Sequence, residues 1–240
     1  MKTRQNIDTE QERLDRRLLQ SSMRGDVKRV KDSLAAGANI NAKKGGVLSW
    51  AAFNGHIETV RLLLDQGADV RTNADRALRM AACDGRLETV RLLLDKGADV
   101  HARNDYALHW AAGNGHLEVV RLLLHSGASI HANDDHALHL AAENGHTETV
   151  GLLLDCGADA HANSSRALYF AALNGHLDVA IQLLAHGADL KVGIEAAKNA
   201  GNVTMLDLLN QIKLSSEEKK LLAAEVPSPT PARSAGMIRM

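Results

Sequence analysis

The sequence predicts an all-α solenoid: stacked helix–turn–helix units joined by short β-hairpin or loop fingers. Three observations predict it. The 240-residue chain repeats itself every 30 residues, a period that marks a stack of small units sharing one continuous core. Two series of glycines recur in register, Gly25, Gly55, Gly85, Gly115, Gly145, Gly175 and Gly37, Gly67, Gly97, Gly127, Gly157, Gly187, and each ends a helical stretch where the chain needs a residue tolerant of positive φ. The chain is 45% apolar but only 2% aromatic, with its prolines confined to the C-terminal tail. Such a core must be built from Leu, Val and Ala, which suits close-packed helices better than sheets.

The elements follow in order. Residues 1–16 form a lead-in helix, opened by a capping box at Thr9-x-x-Glu12. Repeat units then span residues 17–46, 47–76, 77–106, 107–136, 137–166 and 167–192, with a shorter capping unit at 193–212. In the first helix of each unit, paired alanines such as Ala111-Ala112 let neighbouring units approach closely. In the second, apolar residues at Ile57, Val60, Leu63 and Leu64 form one stripe. Ser21-Ser22 and the charged residues around them are read as the polar face of a terminal unit. Beyond residue 212, Ser215-x-x-Glu218 opens one more short helix to about Glu225. The stretch from Val226, with Pro227, Pro229 and Pro231, reads as disordered.

The run Asn114-Gly115-His116-Leu117-Glu118-Val119-Val120-Arg121-Leu122-Leu123-Leu124 and the recurring Gly-Ala-Asp-Val resemble the ankyrin repeat. The resemblance covers about residues 17–212. The chain departs from that family's pattern in two ways. Its period is 30 residues instead of about 33, with the shortening in the connector, which predicts a short finger. The family's Thr-Pro-Leu-His start is also missing. Asp75, Asp105, Asp135 and Ser165 stand just before the first helices and are expected to cap them instead.

Several kinds of chemistry are not expected. No nucleophile elbow, phosphate-binding loop or His-Glu-x-x-His motif occurs, so the chain is read as non-enzymatic and without cofactor. The repeat histidines His56, His116, His146 and His176 are read as satisfying backbone groups in the turns. His101, His131 and His161 form a ladder whose rungs stand about 10 Å apart, whereas zinc needs nitrogens at about 2 Å. The local cluster of His131, Asp134, Asp135, His136 and His139 is read as surface chemistry, and no metal is expected. Cys83 and Cys156 lie two units apart, outside the ~7 Å that a disulfide spans, which fits a reducing compartment. A net charge of −1 argues against nucleic acid, and no apolar run suits a membrane span. A cytoplasmic monomer is expected. The resemblance also implies a possible hydroxylation site at Asn41.

Binding residues in the ankyrin family cluster on the fingers and the first-helix face. Carried onto this chain, those variable positions give a strip of Arg76, Arg79, Arg103, Tyr106, His109, His136, His139, Arg166 and Tyr169. Arg and Tyr are favoured interface anchors. Phe53 and Glu143 border it, while Trp50, Met80, Trp110, Leu140 and Phe170 share one position read as packing between units. The expected function is a protein-binding scaffold or adaptor. The alternatives are a secreted bacterial or viral effector using the same groove, or a subunit that presents substrate to an enzyme in another chain.

Overall fold

The computed structural model describes residues 9–225, with side chains described to residue 215. The N-terminal residues 1–8 and the expected disordered stretch 226–240 lie outside the described residues. Fourteen helices follow one another within them: α1 (Glu10–Arg24), α2 (Val27–Ala35), α3 (Ala42–Phe53), α4 (Ile57–Asp65), α5 (Thr72–Cys83), α6 (Leu87–Asp95), α7 (Ala102–Gly113), α8 (Leu117–His125), α9 (His136–Glu143), α10 (Thr147–Asp155), α11 (Ala162–Asn174), α12 (Leu177–Ala185), α13 (Leu190–Ala200) and α14 (Val203–Glu225). No helix among the described residues is long and apolar enough to cross a membrane.

Two layers result. The odd-numbered helices pack on one another from α1 to α13, and the even-numbered ones α2 to α12 form a second layer behind them. The repeating alanine pairs, from Ala51-Ala52 to Ala171-Ala172, are wholly buried between first helices. With no bulk beyond Cβ, they hold that layer tighter than the leucine-rich layer behind it. Leu18, Leu78, Leu108 and Leu168 in the first layer and Leu63, Leu93, Leu123, Leu153 and Leu183 in the second are also without solvent exposure. One leucine per helix per unit, each roughly 2 kcal/mol of transfer free energy, makes the core a column without a centre.

Two ladders of side-chain-to-backbone hydrogen bonds tie the units in register. In the first, the residue read as a helix cap reaches forward to the next unit's turn. Oδ1 of Asp75, Asp105 and Asp135 accepts from the backbone N–H of Asp99, Ser129 and Asp159 at 2.8–3.0 Å, and Ser165 Oγ accepts from Asp189. Asp15 does the same for Asn39. Gly45 has no side chain to offer at this position, and Asn41 Oδ1 takes over, accepting from Asp69. Asp75, Asp105, Asp135 and Ser165 therefore do not cap their own helices as the sequence suggests. These four sit at positive φ, and Asp135 makes no capping bond to α9. Three of the four are carboxylates only 4–5% exposed, and a buried carboxylate needs such donors.

The second ladder is the predicted one. Nε2 of His56, His116, His146 and His176 donates to the carbonyls of Met23, Cys83, Gly113 and Glu143, each 33 residues back, at 3.0 Å. A carbonyl only accepts, so Nε2 carries the proton in each ring. Where arginine replaces the histidine, Arg86 Nε donates to the Phe53 carbonyl at 3.1 Å.

The finger is a loop, and no strand occurs among the described residues. Where a hairpin would project, three successive residues turn left-handed: Asn73-Ala74-Asp75, Arg103-Asn104-Asp105, Asn133-Asp134-Asp135 and Asn163-Ser164-Ser165. Asn and Asp tolerate this region best among residues with a Cβ, which explains their concentration there. Ala74, at φ 52°, has no such compensation. Ala74→Gly is expected to stabilise the chain by about 0.5–1 kcal/mol, because relief of left-handed strain exceeds the added chain entropy. Urea denaturation measures it, and an unchanged or lower midpoint would contradict this turn geometry.

The ends differ from expectation in three ways. The lead-in helix and the first helix of unit 1 are one continuous α1, crossing the expected boundary at residue 16, with the Thr9–Glu12 capping box in place. Ser21 and Ser22 do not form an outer face. They are buried, and their hydroxyls donate to the carbonyls of Arg17 and Leu18. Finally, α14 runs unbroken through Ser215, whose hydroxyl donates to the Gln211 carbonyl, so no separate helix starts there.

Candidate partner-binding strip

The left-handed turns and the first helices place the strip. Arg79 folds back on the turn before it, Nε donating to the Ala74 carbonyl at 2.9 Å and Nη2 to Asn73 at 3.0 Å. These bonds fix the guanidinium with Cζ 5.8 Å from the centre of the Tyr106 ring, within cation–π reach. Burial, then the neighbouring charge of Arg103, lowers the Arg79 pKa, and Arg76 acts in the same direction. The three arginines thus form one cationic cluster.

From Tyr106 the strip continues ring by ring across three first helices, α7, α9 and α11. Tyr106 meets His109 and Trp110 edge-on at 6.3 and 5.8 Å between centroids. His109 meets His136 at 5.1 Å, His136 meets His139 at 5.2 Å, and His139 lies tilted on Phe170 at 4.9 Å. Tyr169 packs edge-on to Phe170, and Arg166 sits over it with Cζ 5.5 Å from the centroid. All nine residues of the expected strip therefore lie in one contiguous band. They do not all face solvent. His109 is 1% exposed and His139 7%, so these two form the floor. Tyr106, Arg103 and Arg166 are exposed, while Arg76, Arg79, His136 and Tyr169 are half-buried.

The histidine floor is uncharged at neutral pH. Burial lowers His139 to about 4, reinforced by the charges of Arg166 and His136. His136 is lowered by burial and then by Arg166, and His109 by burial and then by His136. The Nδ1 atoms of His136 and His139 stand 3.4 Å apart. One donates and the other accepts, so at least one ring is neutral. Beneath Tyr106, neither ring nitrogen of His109 has a partner of good hydrogen-bond geometry.

Its repeat position places Trp110 in the packing between units, yet the residue is 39% exposed. With Tyr106, Gly113, Leu140 and Asn144 it lines a cleft of about 150 Å³. The signal lay in Gly113, which stands where the other units carry Phe53, Cys83, Glu143 and Leu173. A Cβ there would come within 3.2 Å of Leu140, so the missing side chain lets Leu140 pack close against α7 as one wall of the cleft beside the indole.

Two of the three ladder histidines are engaged within their own units: Nδ1 of His101 and of His131 donates to Asp105 and Asp135 at 3.0 and 3.1 Å. Among the described residues, no three His, Cys, Asp or Glu side chains converge as a metal-ligand set. Burial raises the Cys83 thiol pKa, which disfavours the reactive thiolate. The band offers flat, polarisable ring surface with guanidinium groups at both ends.

A family model described as ankyrin repeats (3 copies) matches residues 18–104 and again residues 108–193. No curated protein matches the chain.

Proposed function

Since the chain belongs to the ankyrin-repeat family, we propose that it is a non-enzymatic adaptor holding a protein partner along its first-helix face. The family consists in general of protein–protein interaction modules and is typically non-enzymatic. One observation carries the assignment to this face. The ring band between Arg79 and Tyr169 leaves Tyr106 and Trp110 more than a third exposed, side by side in one continuous run of rings. Exposed aromatic surface rimmed by polar groups marks binding sites, and Trp, Tyr and Arg dominate interface energetics. The leucine column and both ladders serve as the rigid frame on which the band is displayed.

The test is capture of a partner by the full chain and by a variant with Arg76, Arg103 and Arg166 changed to Glu, circular dichroism melts showing that both are folded. The partner is expected to be lost from the variant. Equal capture by both would move the site off this face.

A further inference from the structure

The charge on this face is unbalanced in a way that names the partner's chemistry. Arg76, Arg103 and Arg166 have no carboxylate within ion-pair distance among the described residues, whereas in the layer behind, Arg91 and Arg121 stand 3.9 and 3.6 Å from Glu88 and Glu118. Three carboxylates that reach solvent lie near the band. Glu143 Oε2 faces His139 Nε2 at 3.5 Å, and Asp134 and Asp159 line the cavity beside Arg166. The buried carboxylates of Asp75, Asp105 and Asp135 are already occupied by backbone N–H groups. Among the side chains that reach solvent, four arginines (Arg76, Arg79, Arg103 and Arg166) stand against the three carboxylates of Glu143, Asp134 and Asp159, so the surface of the band leans cationic in a chain whose net charge is −1, and the cations stand at its two ends with the apolar Trp110 cleft between them.

Resting on the adaptor reading above, we propose that the groove takes an extended acidic segment of a protein chain carrying one bulky apolar side chain. That side chain enters the cleft formed by Tyr106, Trp110 and Leu140. Carboxylates on one side of it meet Arg103 and Arg76, and those on the other meet Arg166. Geometry sets the length. Arg103 and Arg166 belong to α7 and α11, two steps of the stack, or about 20 Å at roughly 10 Å per helix pair. An extended chain covers that in about six residues. Guanidinium groups recognise carboxylates through paired hydrogen bonds, and the uncharged histidine floor between them offers ring surface without competing charge.

Display of random peptides against the full chain tests this, with Arg103→Glu and Trp110→Ala as separate variants, each checked by thermal melt. Arg103 lies in an exposed turn and makes no ion pair, so its variant is expected to fold. Enriched peptides are expected to place Asp or Glu on both sides of a single Leu, Ile, Phe or Trp within about seven residues. Their affinity should fall at least tenfold in each variant and weaken with salt. Basic or uncharged enriched peptides that still need Arg103 and Trp110 would overturn the acidic class and leave the groove reading standing. Peptides indifferent to both variants, or no enrichment at all, would overturn both. Binding of a ten-nucleotide single-stranded oligonucleotide that the enriched peptides fail to displace would overturn the proposal in favour of nucleic acid.

Discussion

Gly115→Ala is expected to destabilise the stack by about 3 kcal/mol, lowering the melting temperature by about 6–12 °C. Two costs combine. Gly115 sits at φ +73°, where an L side chain is strained by about 1 kcal/mol or more. Its new Cβ would also lie 2.5 Å from His146 Nδ1. The imidazole must then move, breaking the bond from His146 Nε2 to the Gly113 carbonyl, for a further 1–3 kcal/mol or so. Asn144 Nδ2 also donates to that carbonyl, which keeps the loss from being larger. Gly127→Ala is the control: φ is +97° but nothing lies within 4 Å of the added Cβ, so only the strain of about 1–2 kcal/mol remains. Removing the imidazole with His146→Ala should make the Gly115→Ala penalty smaller, a non-additivity that a double-mutant cycle detects. Equal penalties at Gly115 and Gly127 would mean that the histidine ladder does not bear on the glycine.

The second large effect is on pH dependence. His139 titrates at about 4 in the folded chain and near 6.5 unfolded. Its folded pKa is depressed, so the stability it contributes is fully present above about 6.5 and is lost as pH falls toward 4 and below. Between pH 7 and 4.5 the loss amounts to about 2 kcal/mol. The groups facing it act together: burial disfavours the charged ring, Arg166 and His136 disfavour it further, and Glu143 at 3.5 Å from Nε2 opposes them. His139→Gln removes the titration and should flatten this part of the profile. Denaturant unfolding of both chains across pH 4.5–7 measures the difference. Parallel profiles would show that His139 does not lie in the uncharged floor described above.

Much of the fold was legible because its causes are local or strictly periodic. Gly25 and its successors announce turns through their φ requirement, and the alanine pairs announce close helix contact. His56 and its equivalents could be read as backbone partners because they recur beside those turns. The role of the Asp75 series is hidden from the sequence for the opposite reason. An aspartate before a helix looks like a cap, and only the neighbouring unit, 24 residues onward, reveals that it reaches forward. The three-residue left-handed turn that points it there is unusual enough that no local preference announces it, although the clustering of Asn and Asp was its trace. The strip positions were found from the register of the repeat, but register alone does not give depth. That is why register alone puts His109 and His139 on the surface they underlie and gives no sign that Trp110 is more than a third exposed.

The central claim is that a partner rests on the ring band. Site-specific photo-cross-linking tests it most directly, with a photoreactive phenylalanine in place of Trp110 in one chain and in place of Arg121, on the layer behind, in another. Cross-linking to the same protein from position 110 and not from position 121 is the predicted result. A partner that cross-links from position 121 while position 110 stays silent would place the interface on the second-helix layer and contradict the account.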